Sequence, residues 1–151
     1  SGQNGTLTPY PGQGIGQTWL GADGATITTE QGVLKASRGM GDDLMGSSSS
    51  IPQWSKIKHN TKAYSRELHH INGNNKLYTS VFKCEILKSK TKEIIEIWQV
   101  KFLVRKFEET CYSTDFQIRN IYYLDEREIV RKSLQYHSNK IGYIVTERVD
   151  R

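Results

Sequence analysis

Four histidines, two cysteines and the carboxylate pairs Asp42-Asp43 and Glu108-Glu109 are the residues here with the most chemical potential, and their spacing limits what they can do. His69 and His70 are adjacent, so on a strand they face opposite sides and cannot ligate one metal together. They are read, with His59 and His137, as ordinary surface histidines. Cys84 and Cys111 have no second cysteine or histidine at zinc-ligand spacing. They are either a bridge, closing a loop of about 26 residues and stabilising the fold by about 3 kcal/mol, or two unrelated buried thiols. Asp42-Asp43 and Glu108-Glu109 are of the right type for glycoside hydrolysis, which needs two carboxyl groups about 5–10 Å apart across a cleft. Neighbours on an extended chain point apart, so both pairs are read as solvated turn or edge residues.

Other catalytic signatures are missing from the sequence. The glycines of Arg38-Gly39-Met40-Gly41 precede no Gly-Lys-Ser/Thr, so they are not a phosphate loop. No Gly-x-Ser-x-Gly elbow occurs. The expectation is a non-enzyme with no metal and no cofactor. Trp19, Trp54 and Trp98, with eight tyrosines, could form a sugar-stacking or lipid-facing surface. Trp98 is expected in the core and Trp54, beside Pro52, exposed.

The elements that must position these groups are strands. The 151 residues suffice for one domain with a real core, and aromatic and β-branched residues carry much of the 36% apolar content. Gln17 to Leu20, Ala25 to Thr29 and Val33 to Ser37 read as a three-strand meander turned at Asp23-Gly24 and Gln31-Gly32. Residues 1–16 read as an irregular lead-in, with room for one short strand. Asp42 or Asp43 could cap a single helical turn, and residues 46–53 read as a Ser-rich linker. Longer strands follow: Tyr64 to Ile71, Leu77 to Leu87, Ile94 to Val104, one lined by Phe116, Ile118, Tyr122 and Leu124, Val130 to Tyr136, and Ile141 to Val149. Side chains alternate at period two, so each offers one apolar face to a common core. The fold class expected is mostly β: a single domain over 1–151, an antiparallel meander curled into a half-barrel or sandwich, with at most one or two short helical turns.

Charge is uneven, −2 over residues 1–50 and +7 over 51–151. Basic residues alternate with Glu along the strands rather than clustering in a recognised module, which argues for a solvated sheet face and against nucleic acid. No run approaches the roughly 18 apolar residues of a membrane-spanning helix.

Two segments carry a family resemblance. Gln17-Thr18-Trp19-Leu20-Gly21-Ala22-Asp23-Gly24-Ala25-Thr26-Ile27-Thr28, then Gly32-Val33-Leu34-Lys35-Ala36-Ser37-Arg38-Gly39-Met40-Gly41-Asp42-Asp43-Leu44-Met45, resemble the group 4 capsule polysaccharide lipoproteins called YjbF or GfcB. Arg105 to Cys111 and Gln135 to Tyr143 are similar as well. The resemblance implies an exported lipoprotein, anchored through an N-terminal acylated cysteine that this chain lacks, on the periplasmic side of the outer membrane of Gram-negative bacteria. It implies a non-catalytic part in capsule or exopolysaccharide production or secretion, with polysaccharide-export proteins or the polysaccharide itself as partners. An oxidising compartment then favours the Cys84–Cys111 disulfide. In the motif, Gly24, Gly32 and Gly39 serve backbone conformation and Trp19 and Leu44 packing. Asp23 makes the turn, and Arg38 with Asp42 or Asp43 is the candidate polar patch for a partner or glycan. The alternative function is a lipid or lipoprotein carrier with an apolar concave sheet face.

Overall fold

The computed structural model describes residues 5–10, 17–49, 53–58 and 63–150. Strands β1 (Leu7–Tyr10), β2 (Gln17–Gly21), β3 (Thr26–Glu30) and β4 (Val33–Arg38) form a small sheet in chain order. Strands β5 (Asp43–Ser49), β6 (Tyr64–Ile71), β7 (Leu77–Ile97), β8 (Val100–Tyr112), β9 (Gln117–Leu124), β10 (Val130–Ser138) and β11 (Gly142–Glu147) form a second sheet, again in chain order. Every pairing in both sheets is antiparallel. The larger sheet curls into a half-barrel, and the helical content of the described residues is one 3-10 turn, Trp54–Lys56.

The turns follow residue chemistry. Gln31 and Gly32 link β3 to β4 with both residues left-handed, φ 51° and 84°, the geometry that matches strand twist. Asp23-Gly24 lies instead in a wider loop in which only Gly24 has positive φ. There the Asp23 carboxylate accepts from the Ala25 amide at 2.9 Å. Asn72 and Asp125 do the same in their turns, each Oδ1 accepting from two backbone amides.

Gly32 also marks a contact between the sheets. A Cβ built there would lie 2.1 Å from Val130 Cγ2 on β10, whereas one at Gly24 would meet nothing within 4 Å. Gly32→Ala is expected to cost about 2–4 kcal/mol, backbone strain plus overpacking. Gly24→Ala should cost about 1 kcal/mol, strain alone. Urea denaturation of both variants checks this, and equal losses would remove the packing contribution.

The core is one contiguous cluster between the two sheets. Ile27, Val33 and Leu34 of the small sheet meet Leu44, Leu68, Phe82, Ile86, Phe107, Ile118, Tyr122 and Leu124 of the half-barrel. Trp54 and Ile57 close it from the segment between β5 and β6. The Trp54 ring lies 5.1 Å from Phe107 and 5.0 Å from Tyr122, and its indole N–H donates to the Gln31 carbonyl at 2.8 Å.

Several sequence expectations change. Residues 46–49 are not a linker but the end of edge strand β5, paired with Arg66 to His69 of β6; residues 50–52 and His59 lie outside the described residues. Gly46 falls at an irregularity in the pairing, so it bends the strand without ending it. Asp43 begins β5 rather than capping a helix. The lead-in agrees with expectation: residues 1–16 hold one short strand, β1, paired with β2.

The tryptophans exchange roles. Trp54 is buried because the 3-10 turn seats it on Phe107 and Tyr122. Trp98 is 75% exposed, at the two-residue turn between β7 and β8. The expected strand Ile94 to Val104 is therefore two strand ends and a turn. No Gly, Asn or Pro marks that turn, and apolar alternation runs straight through it.

Candidate functional site

Because β6 to β10 alternate faces, every second residue enters the half-barrel, and several of those residues are polar. Arg66 lies between Tyr64 and Leu68, Glu109 between Phe107 and Cys111, and Asn120 between Ile118 and Tyr122. All three are buried, and Glu109 has no exposed surface. This overturns the reading of Glu108-Glu109 as a solvated pair: the strand turns one carboxylate inward and leaves the other outside.

Glu109 is the centre of the interior network. Its Oε1 accepts from Arg66 Nη1 at 2.7 Å, Asn120 Nδ2 at 2.8 Å and the Tyr122 hydroxyl at 3.3 Å. Its Oε2 accepts from the Tyr64 hydroxyl. Burial, reinforced by the adjacent carboxylate, pushes both phenol pKa values upward, so each stays protonated and keeps donating. For Arg66, burial works against the charge, but Glu109 raises its pKa and holds the guanidinium charged. Tyr122 also reaches Gln135 Oε1 at 3.4 Å, and that amide accepts from Leu34 N and donates to the Gly32 carbonyl, both at 2.8 Å. The network thus crosses from the half-barrel into β4 of the small sheet. A carboxylate held by four donors and sealed from water is suited to fixing a fold, not to proton exchange with a substrate.

A second buried node joins Ser37, His137 and Asp43. Ser37 Oγ lies 2.8 Å from His137 Nε2 and donates to Asp43 Oδ1 at 3.2 Å, while accepting from the Leu44 amide at 3.0 Å. His137 Nδ1 faces Ser138 Oγ at 2.9 Å, and His70 Nε2 faces the His137 carbonyl at 2.5 Å. Ser37, His70, His137 and Ser138 are all buried, so His70 and His137 are core residues rather than the surface histidines expected. His69, on the other face of β6, is partly exposed and bonds Thr79. The serine–histidine contact resembles a nucleophile and its base. Yet the hydroxyl is spent on a carboxylate and a backbone amide, with no surface open to a substrate.

Burial first, and the neighbouring His70 second, hold the His137 pKa down to about 4. The unfolded chain has the ordinary value near 6.5, so between these limits it binds a proton that the native state does not. His137 therefore costs nothing above about pH 6.5 and destabilises progressively towards pH 4, by about 3 kcal/mol in all. His137→Gln should flatten that part of the pH–stability curve in urea titrations, and an unchanged curve would assign the acid sensitivity elsewhere.

The motif residues cluster at the β4–β5 turn. Asp43 accepts from the Gly39 and Met40 amides, each at 2.9 Å. Arg38 donates to the carbonyls of Ser37 at 2.6 Å and Leu44 at 3.0 Å. Gly39 has φ 82° and packs on Ala25 of the Asp23-Gly24 loop. Leu44 is buried, and Trp19 is half-buried with Arg148 over its ring at 5.1 Å. Asp42 is buried and accepts from the Tyr78 hydroxyl at 3.3 Å. Both aspartates are thus turned to intramolecular donors, while Arg38 remains exposed.

Other groupings are open or already occupied. Among the described residues, Cys84, Glu109 and Cys111 alone converge closely enough for a metal, but the two sulfurs are joined in a disulfide and offer no thiolate. Glu108 lies outside the half-barrel between Lys106 and Arg119, whose hydrogen bonds hold its pKa below the usual range. A shallow cleft of about 280 Å³ is lined by Gln31, Gln53, Trp54, Ser55, Arg127 and Glu128. Of the in-phase polar residues, Glu109 enters the sequence reading only as half of the Glu108-Glu109 pair, and Arg66, Asn120 and Gln135 are assigned no chemistry there. Their signal is a polar residue at an inward position between apolar ones.

Comparison with known proteins adds a family and a fold. The family model described as group 4 capsule polysaccharide lipoprotein GfcB, YjbF matches residues 3–149. No curated protein matches the chain. A similar solved structure is the hypothetical lipoprotein YmcC from Escherichia coli (K12), with a TM-score of 0.79 and 18% identity, covering 95% of this chain and 79% of that one.

Proposed function

The chain belongs to the group 4 capsule polysaccharide lipoprotein family, and from that premise we propose that it is a non-catalytic accessory domain in capsule or exopolysaccharide production or secretion. It would act on the periplasmic side of the outer membrane, held there by a lipid anchor, beside polysaccharide-export proteins or the polysaccharide. The observation carrying this reading is the family match, which runs through nearly the whole described domain. The geometry supports it: the buried carboxylate, serine and histidines are committed to bonds within the chain.

A lipid carrier would need an open apolar concavity. Here the inner face of the half-barrel is packed against Val33, Leu34, Trp54 and Ile57, which fill the place an acyl chain would take. Deleting the gene is expected to lower surface or secreted polysaccharide, and the Glu109→Gln protein, if it accumulates, should restore it. Unchanged polysaccharide after deletion would overturn the accessory role. Failure of a folded Glu109→Gln protein to restore it would overturn the non-catalytic part.

A further inference from the structure

The β7–β8 hairpin outruns its neighbours. Strand β6 pairs with β7 only as far as Cys84, and β9 pairs with β8 only from Arg105. Lys92 to Val104 therefore form a two-stranded arm beyond the sheet. Three residues of β7, 89–91, stand opposite the single Lys106 where the arm leaves the body, an irregularity of the kind that bends a strand.

The two faces of the arm differ. Directly paired residues share a face, so Ile95 with Phe102 and Ile97 with Val100 lie on the same side as Val104. That side turns to the body: Ile97 and Val104 are buried and the Arg131 guanidinium sits 4.5 Å above the Phe102 ring. The other side carries Ile94 opposite Leu103, Lys92 opposite Arg105 and Glu96 opposite Lys101. Ile94 is 67% and Leu103 42% exposed, and Trp98 at the apex is 75% exposed.

The apex is costly to build. Trp98 and Gln99 both have positive φ, 50° and 68°, where glycine or asparagine would be less strained. An aromatic ring is thus held in solvent at a position that disfavours it twice. The same free face holds three cations, Lys92, Lys101 and Arg105, against one carboxylate, Glu96. Lys92 lies 3.8 Å from Glu126, and Arg105 donates to the Ser89 carbonyl. Exposed Lys90 adds a further positive charge at the base of the arm.

We propose that this arm is a membrane-contact element, with Trp98, Ile94 and Leu103 entering the headgroup–acyl boundary of a bilayer that carries anionic lipid. Tryptophan and aliphatic side chains favour that boundary, and nearby lysines are drawn to anionic headgroups. The positive excess beside a narrow apolar edge fits an anionic lipid surface better than a flat, neutral partner. This inference is independent of the role in polysaccharide production, because it is tested on lipid alone.

The purified chain is sedimented with vesicles of phosphatidylethanolamine and phosphatidylglycerol, and with vesicles of phosphatidylcholine. It is expected to sediment with the anionic vesicles, and Trp98→Ser to lower that partitioning about tenfold. The pair Lys92→Gln with Lys101→Gln should weaken binding to anionic vesicles only. Unchanged circular dichroism and unfolding midpoint show that the variants are folded. Absence of sedimentation with anionic vesicles, or binding indifferent to Trp98→Ser, overturns the proposal. So does Trp98-dependent dimer formation without lipid, which would assign the face to a second copy of the chain.

Discussion

Arg66→Met is expected to lower the unfolding free energy by about 3–5 kcal/mol. Arg66 and Glu109 are both sealed from solvent, with side chains 6% and 0% exposed. Removing the guanidinium leaves the carboxylate with neutral donors from Tyr64, Asn120 and Tyr122, which do not offset a full charge in the interior. Glu109→Gln has the converse fault and strands a buried cation. The double variant should be less destabilised than the sum of the two, because neither charge then remains unpaired. Urea unfolding followed by circular dichroism measures all three proteins. Additive losses would show that the two side chains are stabilised separately, and would dismantle the network as a unit.

The size of that effect bears on what the sequence can reveal. Strand identity was legible because apolar residues recur at period two, as in Phe82, Cys84 and Ile86, and because Asn72, Asp125 and Gly32 mark turns chemically. The mostly β half-barrel follows from those signals. What stayed hidden depended on partners distant in the chain. Glu109 looks like a surface acid until β6 places Arg66 across from it, 43 residues away in sequence. Ser37 and His137 are 100 residues apart and meet only because the small sheet lies over β10. Trp98 was misplaced for a local reason, since its turn lacks the residue types that normally permit positive φ. The glycine-rich motif was visible as a motif, and its role in shaping the β4–β5 turn needed the Asp43 bonds to be seen.

The motif and the interior network also explain each other. Asp43 ties the β4–β5 turn and receives Ser37, which reaches His137 on β10. Gly32 lets β4 approach Val130 closely enough for Leu34 and the Gly32 carbonyl to engage Gln135. These backbone requirements dock the small sheet on the half-barrel, and Gln135 continues through Tyr122 to Glu109. Hydrophobic contact between the sheets is non-directional. The polar bonds give the docking its register.

Reduction of the Cys84–Cys111 bridge is expected to lower the melting temperature by about 6–12 °C, corresponding to about 3 kcal/mol. The cysteines are directly opposed on β7 and β8, 27 residues apart in sequence, and both are buried. In the chain-entropy account the bridge acts on the unfolded chain, by restricting the segment that becomes the projecting arm. Thiol titration of the denatured chain, showing none before reduction and two after, establishes the starting state. Melts with and without reductant then give the shift, and an unchanged midpoint after complete reduction would exclude the entropic contribution. Glu109 is two residues from Cys111 on the same inward face, so the bridge could instead act by positioning the carboxylate. The two accounts separate in the Arg66→Met background. A bridge acting only on the unfolded state gives the same loss there, whereas one that positions Glu109 gives a loss changed by about 1 kcal/mol or more.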